Sequence, residues 1–485
     1  MTVSARSRDR AAGRQPPRLR LVTSADETAG GGGSGSLYEA QVKVYPREVA
    51  GRFARLRLTA AWVLLGLYYA NAWLQWNGRQ AFLWDLPARK FYILGLVLWP
   101  QDFIFLTGLL IIAALSLFFF TALGGRLWCG YACPQTVWTE TFLWMERVAE
   151  GGRNERMKLD RAPWSMRKLA RKSFKQLLWI TFALWTGFTF VGYFTPIRTL
   201  AHEILTASLG PWETFWIGFY GLATYLNAGF LREQVCKYMC PYARFQSAMF
   251  DRDTLIITYD GERGEPRGAR RRGSDPVALG LGDCTDCTWC VQVCPTGIDI
   301  RRGLQQECIA CAACIDACDT VMDRMGYAPG LIRYTTQHAL EHKSTRVLRP
   351  RVILYGVVLV LLAGTWITAL ALREPVALDV IRDRNALYRL LDDGQVENVY
   401  DLKIMNKTES AHRFRIDVRG PGRLEIDPLP AIFQVRGGEV YPAAVRVRRP
   451  AYEPVGSESV VFSVEALEDS SLRTTATARF LAPSR

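Results

Sequence analysis

Histidine is scarce, with four in 485 residues. That argues against bis-histidine haem held between membrane helices. His338 and His342 stand four apart in QHALEHK, but no HExxH pattern is present, so a solvated helical turn is expected there. His202 falls in a loop after the third apolar run, and His412 on an expected strand. Cysteine is missing before residue 129 and from the last 167 residues, which leaves no disulfide framework for a secreted domain. Residues 1–57 have no early apolar core and no small-residue cleavage site, so a cleaved leader is not expected. The GGGGSG near residue 30 follows no strand and opens no helix, so it reads as linker rather than dinucleotide fingerprint. Electrons, if this chain handles them, must come from a cytosolic partner protein or a quinol.

Charge is also missing from five long stretches, residues 58–76, 103–123, 177–194, 215–231 and 352–372. Each approaches the roughly 20 apolar residues that cross a bilayer. Trp73, Trp76, Trp84 and Tyr193 crowd their ends, as interfacial aromatics do. The formal charge of +14 gathers beside these runs, mainly before the first and between the second and third. That placement argues for membrane flanks rather than nucleic acid. It puts the N-terminus in the cytoplasm and, after five crossings of a bacterial inner membrane, the C-terminus in the periplasm. All twelve cysteines then face the reducing side.

The densest motif is CTDCTWCVQVCP followed by CIACAACIDAC. The spacings C-x2-C-x2-C-x3-C-P and C-x2-C-x2-C-x3-C suit two [4Fe–4S] clusters that exchange their last thiolate. One would use Cys284, Cys287, Cys290 and Cys318, the other Cys308, Cys311, Cys314 and Cys294. Paired zinc sites would prefer two cysteine pairs with a longer insert. Asp319 stands where a proline often follows the second motif. The basic stretch from Tyr259 to Gly273 reads as a linker, with docking of an acidic donor as the alternative.

A shorter pattern occurs twice, CGYACP at Cys129–Pro134 and CKYMCP at Cys236–Pro241. Each closes a hairpin of two apolar runs and opens an amphipathic stretch, a sign of internal duplication. Each proline disfavours helix at the cysteine before it. If the hairpins pack together, Cys129, Cys133, Cys236 and Cys240 could meet as a four-thiolate site for Cu(I), zinc or an iron–sulfur centre, with Met239 close by. The plainer reading makes them small buried hydrophobes at helix ends.

Residues 396–483 alternate polar and apolar, with Gly, Pro, Asn and Asp at the breaks. About seven short strands in about 100 residues suggest an immunoglobulin-like sandwich without its usual bridge. The fold class expected is therefore multi-domain. A basic disordered tail (1–50) leads to a four-helix membrane domain (51–255) and a cytoplasmic 2[4Fe–4S] ferredoxin-like domain (256–350). A fifth membrane helix (351–372) and a periplasmic immunoglobulin-like sandwich (373–485) follow.

This order of parts, with RGEPRG at 263–268 and GLIRY at 330–334, resembles the cytochrome c oxidase accessory protein family CcoG (FixG/RdxA) over about residues 37–485. The resemblance implies a role in assembling cbb3-type cytochrome c oxidase. It implies reduction of Cu(II) to Cu(I), with copper chaperones or transporters as partners. The eight ferredoxin cysteines would be the family's cluster ligands, and the other four its paired membrane cysteines, the candidate catalytic and copper-holding group. A quinol-oxidising respiratory subunit and a non-enzymatic iron–sulfur scaffold are the alternatives. The oligomeric state stays open, a homodimer included.

Overall fold

The computed structural model describes residues 43–428, 431–450 and 456–483. Most of the expected basic tail therefore lies outside the described residues. The chain divides into two compact units, one of residues 1–74 and 109–363, the other of 75–108 and 364–485.

In the first unit, helix α1 (Arg52–Asn71) is followed by α2 (Phe103–Gly124), which begins in the other unit. Then come α3 (Leu127–Tyr131), α4 (Pro134–Glu150), α5 (Met166–Val191), α6 (Pro211–Thr224) and α7 (Pro241–Met249). Between α6 and α7 the backbone widens into π-helical turns at Tyr225–Leu231 and Val235–Met239. A strand pair, Ile256–Tyr259 with Ile332–Thr335, braces the cysteine loops, and α8 (Ala313–Met325) carries the last two of them. The final long helix, α9, is Pro350–Ala371.

Among the described residues, two helices are long and apolar enough to cross a membrane, α2 and α9, and almost none of their apolar stretch is buried. The three other expected crossings fall on helices that are less uniformly apolar. Residues 58–71 continue an α1 that starts with Arg52, Arg55 and Arg57. Residues 177–191 complete an α5 whose first turns hold Arg167, Lys168, Arg171, Lys172 and Lys175. Residues 215–231 change from α-helix to π-helix partway.

A buried charge cluster ties these helices together. The Glu146 carboxylate on α4 accepts from Arg232 at 2.8 Å and Arg156 at 3.2 Å, and Lys175 pairs with Glu150 at 2.9 Å. Burial alone would raise the Glu146 carboxyl, but Arg232, Arg156 and Lys175 outweigh it and hold it below its usual range. Trp179 packs against Phe142 there and donates to its carbonyl at 3.1 Å.

The second unit is a two-sheet sandwich. One sheet runs Glu425–Asp427, Val440–Pro450, Gln395–Asn406, Val376–Arg382, with Arg389–Leu390 also on Gln395–Asn406. The other runs Ile432–Val435, His412–Arg419, Ser457–Ala466, Arg473–Leu481. Period-two alternation puts Tyr400, Leu402, Phe414, Ile416, Val445, Phe462 and Phe480 into one core. The strand Val376–Arg382 lies ahead of the stretch whose alternation was legible, since it follows directly on the apolar helix. In the same unit the antiparallel strands Phe82–Asp85, Lys90–Ile93 and Leu96–Leu98 form a meander. Buried Asp102, just before α2, pairs with Arg373 and, at 3.3 Å, with Lys407.

Candidate functional site

The two ferredoxin motifs fold into loops with the same backbone. Asp286 and Thr288 in the first, and Ala310 and Ala312 in the second, all take left-handed φ values between 50° and 59°. None is glycine, and each such residue costs about 1–3 kcal/mol unless its surroundings impose it. The strain turns successive backbone groups around the cysteines, as anion-binding loops do.

Each loop surrounds a recess. One, of about 350 Å3, is lined by Cys284, Cys287, Cys290 and Cys318, with Tyr259, Leu331 and Ile332 as its apolar wall. The other, of about 340 Å3, is lined by Cys294, Cys308, Cys311 and Cys314, with Ile257, Ile298 and Ile300. Cys290 borders both, so the recesses adjoin. The fourth cysteine of each motif thus stands in the other motif's recess. All twelve cysteines are free thiols. Burial raises Cys290 and Cys308 to about 12 and Cys311 to about 11, and pushes Cys314 and Cys318 up as well. Thiols so placed stay neutral unless a cation compensates the thiolates. Among the described residues, no three His, Cys, Asp or Glu side chains are gathered tightly enough for a single metal ion. Two rings of four soft donors around adjoining recesses fit iron–sulfur clusters better than mononuclear zinc.

The four remaining cysteines lie at helix starts and turns. Cys129 sits within α3. Cys133 and Cys240 are extended residues capping α4 and α7, with Pro134 and Pro241 at the first helical positions. Cys236 lies in the π-helical turn Val235–Met239. Burial raises Cys129 to about 12 and Cys236 to about 11. Charge on Cys133 would raise both further, and charge on Cys240 would raise Cys133 and Cys236. The four are therefore electrostatic neighbours, though not drawn in to metal-bond distance. Cys129 donates to Gln246 Oε1 at 3.4 Å. Met239 is 59% exposed.

The contact between the two cysteine groups was not legible in the sequence. Gly130, in the first short motif, lies against the second ferredoxin loop. A Cβ there would stand 2.8 Å from the carbonyl oxygens of both Ile309 and Ala310. Tyr334 donates to the Ala310 carbonyl at 2.6 Å, so Tyr131, 3.2 Å away, is the donor to Tyr334. Arg126 donates to the carbonyls of Gln306, Ala243 and, at 3.4 Å, Cys308, while Arg57 on α1 donates to the carbonyl of Cys311. Asp316, between Cys314 and Cys318, accepts from the amides of Phe53 at 3.2 Å and Ala54 at 2.7 Å and so caps α1. His338 and His342 do not come together on a metal. They face Asp253 at 2.8 Å and Glu262 at 3.1 Å.

The chain is 38% identical over 423 residues to nitrogen fixation protein FixG of Rhizobium meliloti, covering 80% of this chain and 81% of the relative. Protein RdxA of Cereibacter sphaeroides is 41% identical over 404 residues, covering 80% and 84%, and RdxB of the same organism 42% over 405, covering 81% and 85%. The chain belongs to the FixG/RdxA family. A family model described as a 4Fe-4S dicluster domain matches residues 231–337, and one described as a 4Fe-4S binding domain matches residues 106–149. A third, described as an IG-like fold at the C-terminal of FixG, matches residues 366–483. This FixG-family chain also aligns with the crystal structure of a FixG-related protein from Vibrio parahaemolyticus, at 28% identity over 23% of this chain and 98% of that one, with a TM-score of 0.21. The chain is thus a FixG-like iron–sulfur protein with a C-terminal immunoglobulin-like domain.

Proposed function

We propose that this protein is an inner-membrane electron carrier that reduces Cu(II) to Cu(I) at Cys129, Cys133, Cys236 and Cys240, in the service of cbb3-type oxidase assembly. Five helical crossings hold the twelve cysteines on the cytoplasmic side and the sandwich in the periplasm. Copper chaperones or transporters take the product. The observation that carries this reading is the close packing of Gly130 on the carbonyls of Ile309 and Ala310, between two cluster cysteines. It sets one cysteine group against the other with no side chain between.

Cys284, Cys287, Cys290 and Cys318 hold one [4Fe–4S] cluster, and Cys294, Cys308, Cys311 and Cys314 the other. When bound, such clusters take up and release single electrons. The rest of the work belongs to the chain. Arg57 and Arg126 fix the second loop by its carbonyls and place positive charge beside its thiolates, which favours the reduced state. Asp316 locks that loop's helix to the start of α1. The four outer thiolates bind copper. Being soft, they prefer Cu(I), which raises the metal's potential and draws one electron to each Cu(II).

The test is anaerobic Cu(II) reduction by full-length protein carrying pre-reduced clusters. The wild type should turn over at least tenfold faster than a variant with all four outer cysteines changed to serine. Equal rates would remove those residues from the mechanism.

A further inference from the structure

One large cavity takes no part in the chemistry described so far. A volume of about 990 Å3 lies between the segment 46–58, α4, the turn at 232–236 and the second ferredoxin loop. Its wall includes Cys311 on one side and Cys236 on another. Leu58, Val49, Leu143, Val293 and Ile309 supply its apolar lining. Its lining reaches Leu58, where the apolar part of α1 begins, the level at which an amphiphile's head would sit if that helix enters a bilayer.

The polar groups of the wall narrow the ligand. Five arginines line it, but four are already engaged. Arg57 is held by the Cys311 carbonyl, Arg147 by Glu48 at 2.7 Å, and Arg232 by Glu146. Arg47 stacks 4.0 Å over Trp289. Carboxylates neutralise Arg147 and Arg232, while Arg47, Arg57 and the fifth, Arg55, keep their charge at the wall. Among the described residues of the wall, a buried group without an ion-pair partner is a carboxylate. Glu233 is 93% buried and lines the cavity, yet among the described residues its one side-chain partner is the neutral amide of Gln234, at 3.3 Å. A buried carboxylate without a cation asks for a hydrogen-bond donor.

We infer that this cavity binds a quinol, its ring among the apolar side chains and one hydroxyl donating to Glu233. The inference rests on the electron-carrier reading and names the donor. Oxidation of the ligand to the quinone breaks its two O–H bonds and releases two electrons and two protons. An oxidised iron–sulfur cofactor held at the Cys311 side would take the electrons singly. The hydroxyl that donates to Glu233 gives its proton to that carboxylate, and the other hydroxyl gives its proton to water. Glu233 is therefore both a hydrogen-bond acceptor for the ligand and its proton acceptor.

The experiment photolinks a short-tailed azido-ubiquinone to the full-length protein in detergent and maps the labelled peptides by mass spectrometry. Label is expected on segments 46–58 and 135–147, displaced by excess unlabelled quinone. Glu233→Gln should weaken binding at least fivefold, and Thr139→Trp, which pushes a large ring into the cavity from its wall, should weaken it to a similar degree. Both variants must keep wild-type iron content and full reduction by dithionite. Anaerobic mixing with decylubiquinol should reduce the clusters of the wild type and at least tenfold more slowly those of either variant. No label in the cavity, label unchanged in both variants, or label displaced by anionic phospholipid but not by quinone would overturn the proposal. Quinone binding alongside wild-type copper reduction by the four-serine variant would instead overturn the copper reading and leave this one standing.

Discussion

The two C-x-Y-x-C-P repeats share a pattern but not an environment. In the first, Gly130 packs on the second ferredoxin loop, Tyr131 donates to Tyr334, and Cys129 is tied to Gln246. In the second, Lys237 replaces that glycine, Tyr238 is 47% exposed, and Cys236 borders an open cavity in a π-helical turn. A π-helical turn gives up regular hydrogen bonding and recurs at functional sites. The sequence holds two similar cysteine turns. Packing assigned one to the cluster side and left the other facing free space.

Breaking the frame that both repeats share should have the largest effect. Glu146, on the helix that follows the first repeat, holds Arg232 just ahead of the second. Glu146→Ala leaves buried cations unpaired and should cost about 3–5 kcal/mol, read as loss of folded protein in detergent thermal melts. Next comes Cys294→Ser. It should remove the cluster of the second motif although it lies in the first, halving iron and acid-labile sulfide. Loss confined to the first motif's spectrum would refute the exchange of ligands.

Substitutions at matched positions sharpen the contrast. Gly130→Val has to push apart backbone it cannot move cheaply. It should slow Cu(II) reduction at least tenfold, with electron paramagnetic resonance showing both clusters intact. Lys237→Val, its counterpart, should change the rate less than twofold. The smallest effect is expected at the tyrosines. Tyr131→Phe loses one hydrogen bond worth about 0.5–1.5 kcal/mol. Tyr238→Phe, on an exposed ring, should be neutral in the same melts.

Much of this architecture could be read from residue spacing. The grouping of Cys318 with the first motif's cysteines and of Cys294 with the second's, and the helix breaks at Pro134 and Pro241, are local consequences of short motifs. So is the sandwich, whose inward residues alternate along each strand. The strand Val376–Arg382 falls within the expected sandwich bounds of 373–485 but ahead of the alternating stretch that begins at residue 396. The residues joining the parts were hidden. Nothing near Gly130 in the chain indicates Ala310, and nothing near Asp316 indicates Phe53.

The sequence by itself determined which side chains could ligate iron and where helices and strands must stop, because ligation geometry and backbone sterics act over a few residues. Only the tertiary structure decided which cysteine group meets which loop. It also decided which arginines are already paired, and among the described residues it left Glu233 without a cation in a cavity. Those outcomes depend on side chains tens to hundreds of residues apart competing for the same buried space, and no local pattern records that competition.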